Sequence, residues 1–236
     1  ERYDGNGALK YFQPTRPERG ETIYGIYSDN DGGEWVLSNH GYWVYGKPDI
    51  SGLREFVLAS GIAGGLLLID SEGKMAVYAS GSGDVRDVAP GVFARTDTKP
   101  FTLNDGRVVI GLDGGVGLFD PARGSVRAVG LPSDGVITQF YEQTGVGGRA
   151  NVLWMFSGAD VLRLDMATMD CRKLDIPYSD STESLGMQFI HEDGNGEMWI
   201  YPLNGHLCHY NASSGDLERA RILTDRGDDY TPDISS

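Results

Sequence analysis

Acidic residues are the most abundant groups that could do chemistry in this chain of 236 residues, which has 34 Asp and Glu. A glycosidase needs two carboxyl groups that face each other across the scissile bond. The most regularly placed acids, however, stand in Gly-rich stretches, where short polar side chains bond to the backbone of their own turn. These acids are Asp29, Asp31, Asp70, Asp105 and Asp193. We therefore predict that they build turns and that the chain has no catalytic residues.

Two further patterns contain possible metal ligands. The stretches "SDNDGGE" and "EDGNGE" place oxygen ligands at alternate positions, but the twelve-residue pattern of a calcium loop is incomplete. His206, Cys208 and His209 stand together in "HLCH", yet on a strand His206 and Cys208 share one face and His209 points to the other. No fourth ligand is evident nearby, and neither a phosphate loop nor a dinucleotide fingerprint occurs. We predict no metal site and no cofactor.

Charge and cysteine content exclude several classes of partner. The net charge is −14, so nucleic acid and anionic membrane surfaces would be repelled. No apolar run approaches the roughly 20 residues of a membrane span. We predict no nucleic-acid partner and no membrane contact by this segment. Cys171 and Cys208 are too few for a disulfide framework, although one bridge in an oxidising compartment stays possible.

An internal repeat must position whatever site the chain has. An acidic, Gly-rich turn recurs before a short apolar strand that carries a tryptophan or another apolar residue at one position. This tryptophan position is occupied by Trp35, Ala76, Val109, Trp154 and Trp199. A second motif, with an aromatic or apolar residue often followed by Asp or Asn, comes 7 to 9 residues later each time. Two motifs in fixed order and at nearly fixed spacing indicate one structural unit repeated five times.

Each unit is predicted to contain four short strands. In the last unit these are "GMQFIHE", "GEMWIYP", "HLCHYN" and "LERARIL", with the turn signals "DGNG", "LNG" and "ASSGD" between them. Four strands in about 40–45 residues are typical of a β-propeller blade, which buries its faces only against its neighbours. We therefore predict an all-β propeller of four-stranded antiparallel blades, with about five full blades plus partial blades at the ends. We expect the chain to be a fragment of a larger propeller.

The predicted blade boundaries place everything in one propeller domain. Residues 1–20 would supply the outer strands of a preceding blade, 21–60, 61–95, 96–133, 134–178 and 179–224 would be full blades, and 225–236 would start the next blade. The alternative is a small closed ring in which strands from both termini complete one sheet.

A propeller presents the loops between its second and third strands, and those between its blades, on one rim. Here these loops include "LSNHG", "LDGG", "FSGAD" and "YPLNGH". Aromatic faces cover the C–H faces of sugars, while amides and carboxylates bond to hydroxyl groups. The predicted ligand-binding residues are Asn39, His40, Asp113, Asp160, Tyr201, Asn204 and His206. For each residue the alternative is a polar loop that is simply solvated.

Four segments carry a resemblance to a known family. "DNDGGEWV", "EDGNGEMWI", "VVIGLDGGVGLFDP" and "GADVLRLD" resemble the two-component regulator propeller repeat. The resemblance implies a non-enzymatic, periplasmic sensor region of a hybrid two-component system of Bacteroidetes, anchored in the inner membrane by its parent chain. It also implies further blades and downstream domains that include a histidine kinase, and an oligosaccharide as the ligand.

Two other readings of a propeller stay open. A propeller glycosidase or polysaccharide lyase would need carboxylates, or a His–Arg pair, near the central channel. A protein-docking propeller, including one that forms a homodimer, would instead show a large exposed apolar patch on a rim.

Overall fold

A computed structural model gives the fold and describes residues 2–3, 9–10, 23–28, 34–38, 41–45, 56–145, 151–158, 160–177, 187–202 and 207–220. The predictions for Asp29, Asp31 and residues 225–236 therefore lie outside the described residues. Every element of the described part is a β-strand, and this part includes no helix that could cross a lipid bilayer. The predicted all-β class is confirmed.

The strands form antiparallel sheets in chain order. β1 (Arg2–Tyr3) and β2 (Leu9–Lys10) form a two-stranded sheet, and β3 (Ile23–Ser28), β4 (Glu34–Ser38) and β5 (Gly41–Tyr45) form a three-stranded sheet. Sheet I contains β6 (Phe56–Ile62), β7 (Gly65–Asp70), β8 (Met75–Ala79) and β9 (Val85–Val88). Sheet II contains β10 (Phe101–Thr102), β11 (Val108–Leu112), β12 (Gly115–Asp120) and β13 (Ser125–Gly130).

Two more four-stranded sheets follow. Sheet III contains β14 (Gln139–Gln143), β15 (Val152–Ser157), β16 (Asp160–Asp165) and β17 (Asp170–Leu174), and sheet IV contains β18 (Met187–Glu192), β19 (Met198–Pro202), β20 (Cys208–Asn211) and β21 (Asp216–Arg219). Each sheet pairs its strands in sequence order, as the blade of a β-propeller does, so the predicted propeller fold is confirmed. The division of the intervening turns between blades stays a prediction.

The tryptophan position lies on the second strand of four of these sheets, as the repeat predicts. Its residues there are Trp35 on β4, Val109 on β11, Trp154 on β15 and Trp199 on β19. Ala76 was predicted for the same position, and that prediction is wrong because Ala76 lies on β8, the third strand of sheet I. The tryptophan position was assigned to the strand after an acidic turn. In sheet I the acidic turn at Asp70 joins the second strand to the third, so the strand after it is the third.

The acidic turns hold their own backbone. Asp193 Oδ1 accepts hydrogen bonds from the N–H groups of Asn195 (2.8 Å) and Glu197 (3.0 Å), and its Oδ2 accepts one from Trp199 Nε1 (3.1 Å). Asp70 and Asp105 accept backbone N–H groups of their turns in the same way. The prediction that these acids build turns is confirmed for Asp70, Asp105 and Asp193.

The chain divides into two compact units. The first comprises Glu1–Leu112 and Gly117–Arg127, and the second comprises Asp113–Val116 and Ala128–Ser236. A cluster of buried side chains in the first unit joins sheet I to sheet II and includes Ile69, Val77, Ile110 and Phe119. In each unit, therefore, apolar side chains of consecutive sheets pack against each other.

Trp154 is the largest fully buried side chain of the second unit. All six residues of its strand, β15, are buried, and its indole belongs to a cluster with Phe156 on sheet III and with Ile190 and Ile200 on sheet IV. Trp199 lies on the face of sheet IV opposite to Ile200 and is only half-buried.

The burial of Trp154 predicts a large cost when the indole is removed. We expect Trp154→Ala to lower the free energy of unfolding by about 3–5 kcal/mol, because a filled space between two sheets becomes a cavity. Urea unfolding followed by circular dichroism measures the loss. Trp199→Ala serves as the control and should cost clearly less. An equal cost for the two variants would contradict the packing described for sheets III and IV.

The turn at Asp193 predicts a shifted titration. The backbone N–H of Glu197 and then the Trp199 indole lower the pKa of Asp193 from its ordinary value of 3.8. The turn therefore gains stability above pH 3.8 that is lost as the pH falls through the lower, folded-state pKa. We expect Trp199→Phe to raise the pKa of Asp193 towards 3.8 without reaching it, because the backbone donors remain.

The carboxyl ¹³C shift, recorded by NMR against pH, measures this pKa. Asp105 is the internal control. Partial burial raises its pKa, but the hydrogen bonds from Arg107 outweigh this effect and lower it, and this pKa should be the same in Trp199→Phe as in the unmodified chain. An unchanged Asp193 pKa in Trp199→Phe would show that the indole hydrogen bond does not act on this carboxylate.

Candidate functional site

The predicted rim lies where the second strand of each sheet turns into the third. The structure describes three of the seven predicted ligand-binding residues there, Asp113, Asp160 and Tyr201. The other four lie outside the described residues: Asn39, His40, Asn204 and His206.

Asp113 stands at the tip of the hairpin between β11 and β12. The hairpin is tight, since Gly114 has a φ of +67° and a Cβ added at Gly115 would lie 2.2 Å from the carbonyl oxygen of Val129. Glycine is therefore required at both positions, and the Asp113 side chain is left exposed to solvent. A carboxylate held on a short, rigid turn can accept hydrogen bonds from a ligand.

Asp160 begins β16 and is half-buried. Its Oδ1 lies 2.6 Å from Lys173 Nζ, and its Oδ2 accepts a hydrogen bond of 2.7 Å from the Ser133 hydroxyl. Partial burial raises the pKa of Asp160, but the hydrogen bonds from Lys173 and Ser133 outweigh this effect and bring the pKa below 3.8. Asp160 is therefore ionised at neutral pH and already partnered by a cation.

Tyr201 lies near the end of β19 and is 8% exposed. Its ring stacks on that of Phe189, with centroids 5.9 Å apart and planes inclined by 21°. Phe189 is 39% exposed, so an aromatic surface reaches solvent through Phe189 more than through Tyr201. The aromatic component predicted for the rim thus includes a second ring, which the sequence patterns did not single out.

Asp113, Asp160 and Tyr201 therefore occupy the same end of their respective sheets, because each lies where a second strand turns into a third. That these three residues contribute to one binding surface stays a prediction.

The sequence patterns missed a cavity of about 630 Å³ between sheets III and IV. Its walls include Gln143, Asn151, Arg163, Glu197, Tyr210 and Ser213. It lies at the ends of the sheets where first strands turn into second strands and third strands into fourth. These residues come from separate turns and strands and form no motif along the chain. Only the repeat itself, which predicts that sheets pack face to face, could have pointed to this place.

Hydrogen bonds and ring contacts fix one wall of this cavity. Gln143 accepts a hydrogen bond from Trp154 Nε1 (3.0 Å) and donates one to the carbonyl oxygen of Gly196 (2.9 Å), so it links the two sheets. The Tyr210 ring meets the Trp154 indole edge to face at 5.1 Å, and the Arg163 guanidinium lies over the Tyr210 ring at 5.2 Å. The side chains that face the cavity are therefore held in place by the core.

Neither cysteine is a ready nucleophile. Cys171 and Cys208 are both thiols that form no disulfide bond. Burial raises the pKa of each to about 11, with a further contribution from Asp170 at Cys171. Both groups are therefore protonated at neutral pH, and thiol chemistry requires the thiolate.

The described part of the "HLCH" stretch separates its side chains as predicted. Cys208 is buried in the core between sheets III and IV, whereas the His209 ring packs against Trp199 on the other face, with centroids 4.9 Å apart. His209 Nε2 lies 3.4 Å from Glu197 Oε2. Within the described ranges, no three His, Cys, Asp or Glu side chains lie close enough together to hold a metal ion.

No protein-family model matches the chain, and no curated protein matches its sequence. Solved structures do match its fold. The extracellular domain of BT4673 of B. thetaiotaomicron, described as a one-component system, has a TM-score of 0.56 at 14% identity over 89% of this chain. The extracellular domain of the hybrid two-component system BT3049 of the same organism has a TM-score of 0.52 at 14% identity over 86%. This chain spans 29% and 30% of these two proteins' chains.

An enzyme of similar fold also matches. A catalytically inactive virginiamycin B lyase from Staphylococcus aureus, solved with quinupristin, has a TM-score of 0.51 at 13% identity over 86% of this chain and 71% of its own. At such identities the match establishes the fold and no activity. The resemblance predicted from the repeats is thus confirmed in fold: the chain is a β-propeller segment similar to extracellular domains of a one-component and a hybrid two-component system of B. thetaiotaomicron.

Proposed function

We propose that this chain is a non-enzymatic, ligand-sensing propeller segment of a hybrid two-component system. The observation that carries the proposal is the similarity in fold to the extracellular domains of BT4673 and BT3049. In this role the segment lies outside the cytoplasm, in the periplasm, and belongs to a sensor anchored in the inner membrane. Further blades and downstream domains of the parent chain are its partners, and a histidine kinase receives the signal.

The ligand in this proposal is an oligosaccharide bound at the rim of second-to-third-strand loops. Asp113 is exposed on a rigid hairpin, and Asp160 is ionised and held by Lys173, so both can accept hydrogen bonds from sugar hydroxyl groups. The Phe189–Tyr201 pair offers an aromatic face for the C–H side of a sugar ring. Binding would change the orientation of the propeller in the parent chain and so reach the kinase.

A lyase is the competing function, because the virginiamycin B lyase of Staphylococcus aureus is similar in fold. Such an activity needs a general base within reach of a substrate proton. The described turn acids are poor candidates for that base, since Asp105 and Asp193 accept hydrogen bonds within their own turns. Cleavage of a polymer or oligosaccharide by the purified protein would support the lyase over the sensor.

Calorimetric titration with plant and host oligosaccharides tests the sensor proposal. We expect at least one oligosaccharide to bind without being cleaved, and Asp113→Ala to weaken its binding about tenfold through loss of a charge-assisted hydrogen bond. Asp216→Ala is the control, because Asp216 is an exposed carboxylate at the end of sheet IV that lies away from the rim. This variant should bind the oligosaccharide as tightly as the unmodified chain. If no oligosaccharide binds, or if both variants bind like the unmodified chain, the proposed rim site is wrong.

A further inference from the structure

The guanidinium of Arg163 lies at the wall of the cavity between sheets III and IV. Its Nε is buried and has no hydrogen-bond acceptor among the described residues. The Tyr210 ring below it attracts the positive charge but offers no acceptor in the plane of the guanidinium. Arginine stays charged in proteins, and a buried N–H group without an acceptor is unfavourable. Nε itself is closed to the cavity, so an anionic ligand would have to meet the terminal nitrogens of this half-buried guanidinium.

The two carboxylates in the described wall of this cavity have other partners. Asp165 Oδ1 accepts the backbone N–H groups of Ala167 (2.9 Å) and Thr168 (3.0 Å), which closes the turn between β16 and β17. Glu197, across the cavity, is next to His209. Within the described residues, Arg163 forms no salt bridge with either acid, although both lie in the wall of the same cavity and the lowered pKa of Asp165 is due first to the Thr168 N–H and in smaller part to the charge of Arg163. The hydrogen-bond donors of its guanidinium therefore stay open to a ligand.

The charges of the described cavity wall disfavour a ligand with more than one negative charge. Among the described wall residues, Asp165 and Glu197 outnumber the one arginine, Arg163, and the whole chain carries −14, so a dianion such as a phosphate monoester would be repelled more strongly than a monoanion. A planar carboxylate matches the guanidinium fork with two parallel hydrogen bonds. The volume of about 630 Å³ lies within the range of roughly 300–1,000 Å³ that is typical of small-molecule sites.

Uncharged polar groups on the cavity wall indicate the rest of the ligand. The Asn151 amide and the Ser213 hydroxyl are exposed at the wall, and both donate and accept hydrogen bonds. Gln143, in contrast, already uses its amide oxygen and nitrogen to link the two sheets. Hydroxyl groups next to a carboxylate would satisfy Asn151 and Ser213, whereas an alkyl chain would leave them without partners.

We propose that this cavity is a second ligand site, which binds a small hydroxycarboxylate through the guanidinium of Arg163. The site is separate from the proposed rim. It lies at the ends of sheets III and IV where third strands turn into fourth strands, and Asp160 and Tyr201 lie at the opposite ends of the same two sheets. The two proposed sites therefore share no residue.

Calorimetric titration of the chain with D-gluconate tests this proposal, with sorbitol as the matched neutral ligand. We expect gluconate to bind and sorbitol to bind at least tenfold more weakly, since the two differ only in the carboxylate. Arg163→Gln should weaken gluconate binding at least tenfold, which corresponds to about 1.4 kcal/mol. Arg123→Gln is the control, because it removes the same charge from an exposed arginine paired with Asp120, and it should bind gluconate like the unmodified chain.

Two further measurements keep the test decisive. Arg163→Lys keeps the charge but loses the fork, so it should bind gluconate more weakly than the unmodified chain even if Arg163→Gln fails to fold. Asp113→Ala, at the rim, should leave gluconate binding unchanged, which separates this site from the proposed oligosaccharide site. Absence of gluconate binding, equal binding of gluconate and sorbitol, or full binding by Arg163→Lys would each overturn the proposal.

Discussion

A sheet that is apolar on both faces cannot be buried alone, and the rest of the structure depends on this constraint. Every residue of β7 and of β15 is buried, so each strand needs a neighbouring sheet on both sides. Burial of an indole such as Trp154 removes about 150–250 Å² from water, which stabilises the fold by roughly 4–6 kcal/mol. This packing explains the regular spacing of the tryptophan position along the chain, because each sheet packs against the next one through equivalent residues.

The same constraint moves the polar chemistry to the ends of the sheets. Strands that are buried on both faces, as β7 and β15 are, have no charged side chain in their middle, and most acids of these sheets that hold backbone groups lie in turns. Most turn acids then serve the turn itself, as Asp193 does by holding two backbone N–H groups. Within the described residues, groups with spare hydrogen-bonding capacity include Asp113 at the rim and the side chains in the cavity beside Arg163.

The repeat predicted the fold in considerable detail. All four strands of sheet IV, the turn role of Asp70, Asp105 and Asp193, and the second-strand position of Trp154 and Trp199 follow from it. The predicted second-strand position of Ala76 in sheet I is wrong, because the acidic turn of this sheet lies between its second and third strands. A turn formed by Asp70 can close any hairpin, since its hydrogen bonds are local and are the same whichever strands it joins. Turn chemistry alone therefore cannot tell the second strand from the third.

The sequence by itself determined the features that depend on local spacing: the all-β class, the four-strand unit, the acidic turns and the opposite faces of Cys208 and His209. Only the tertiary structure decided which side chains meet between two sheets. Arg163 on sheet III meets Tyr210 on sheet IV, and Gln143 links Trp154 to Gly196, over separations that no sequence period encodes. The physical reason is that strand alternation sets the face of a residue, whereas the residue opposite it depends on how two complete sheets pack.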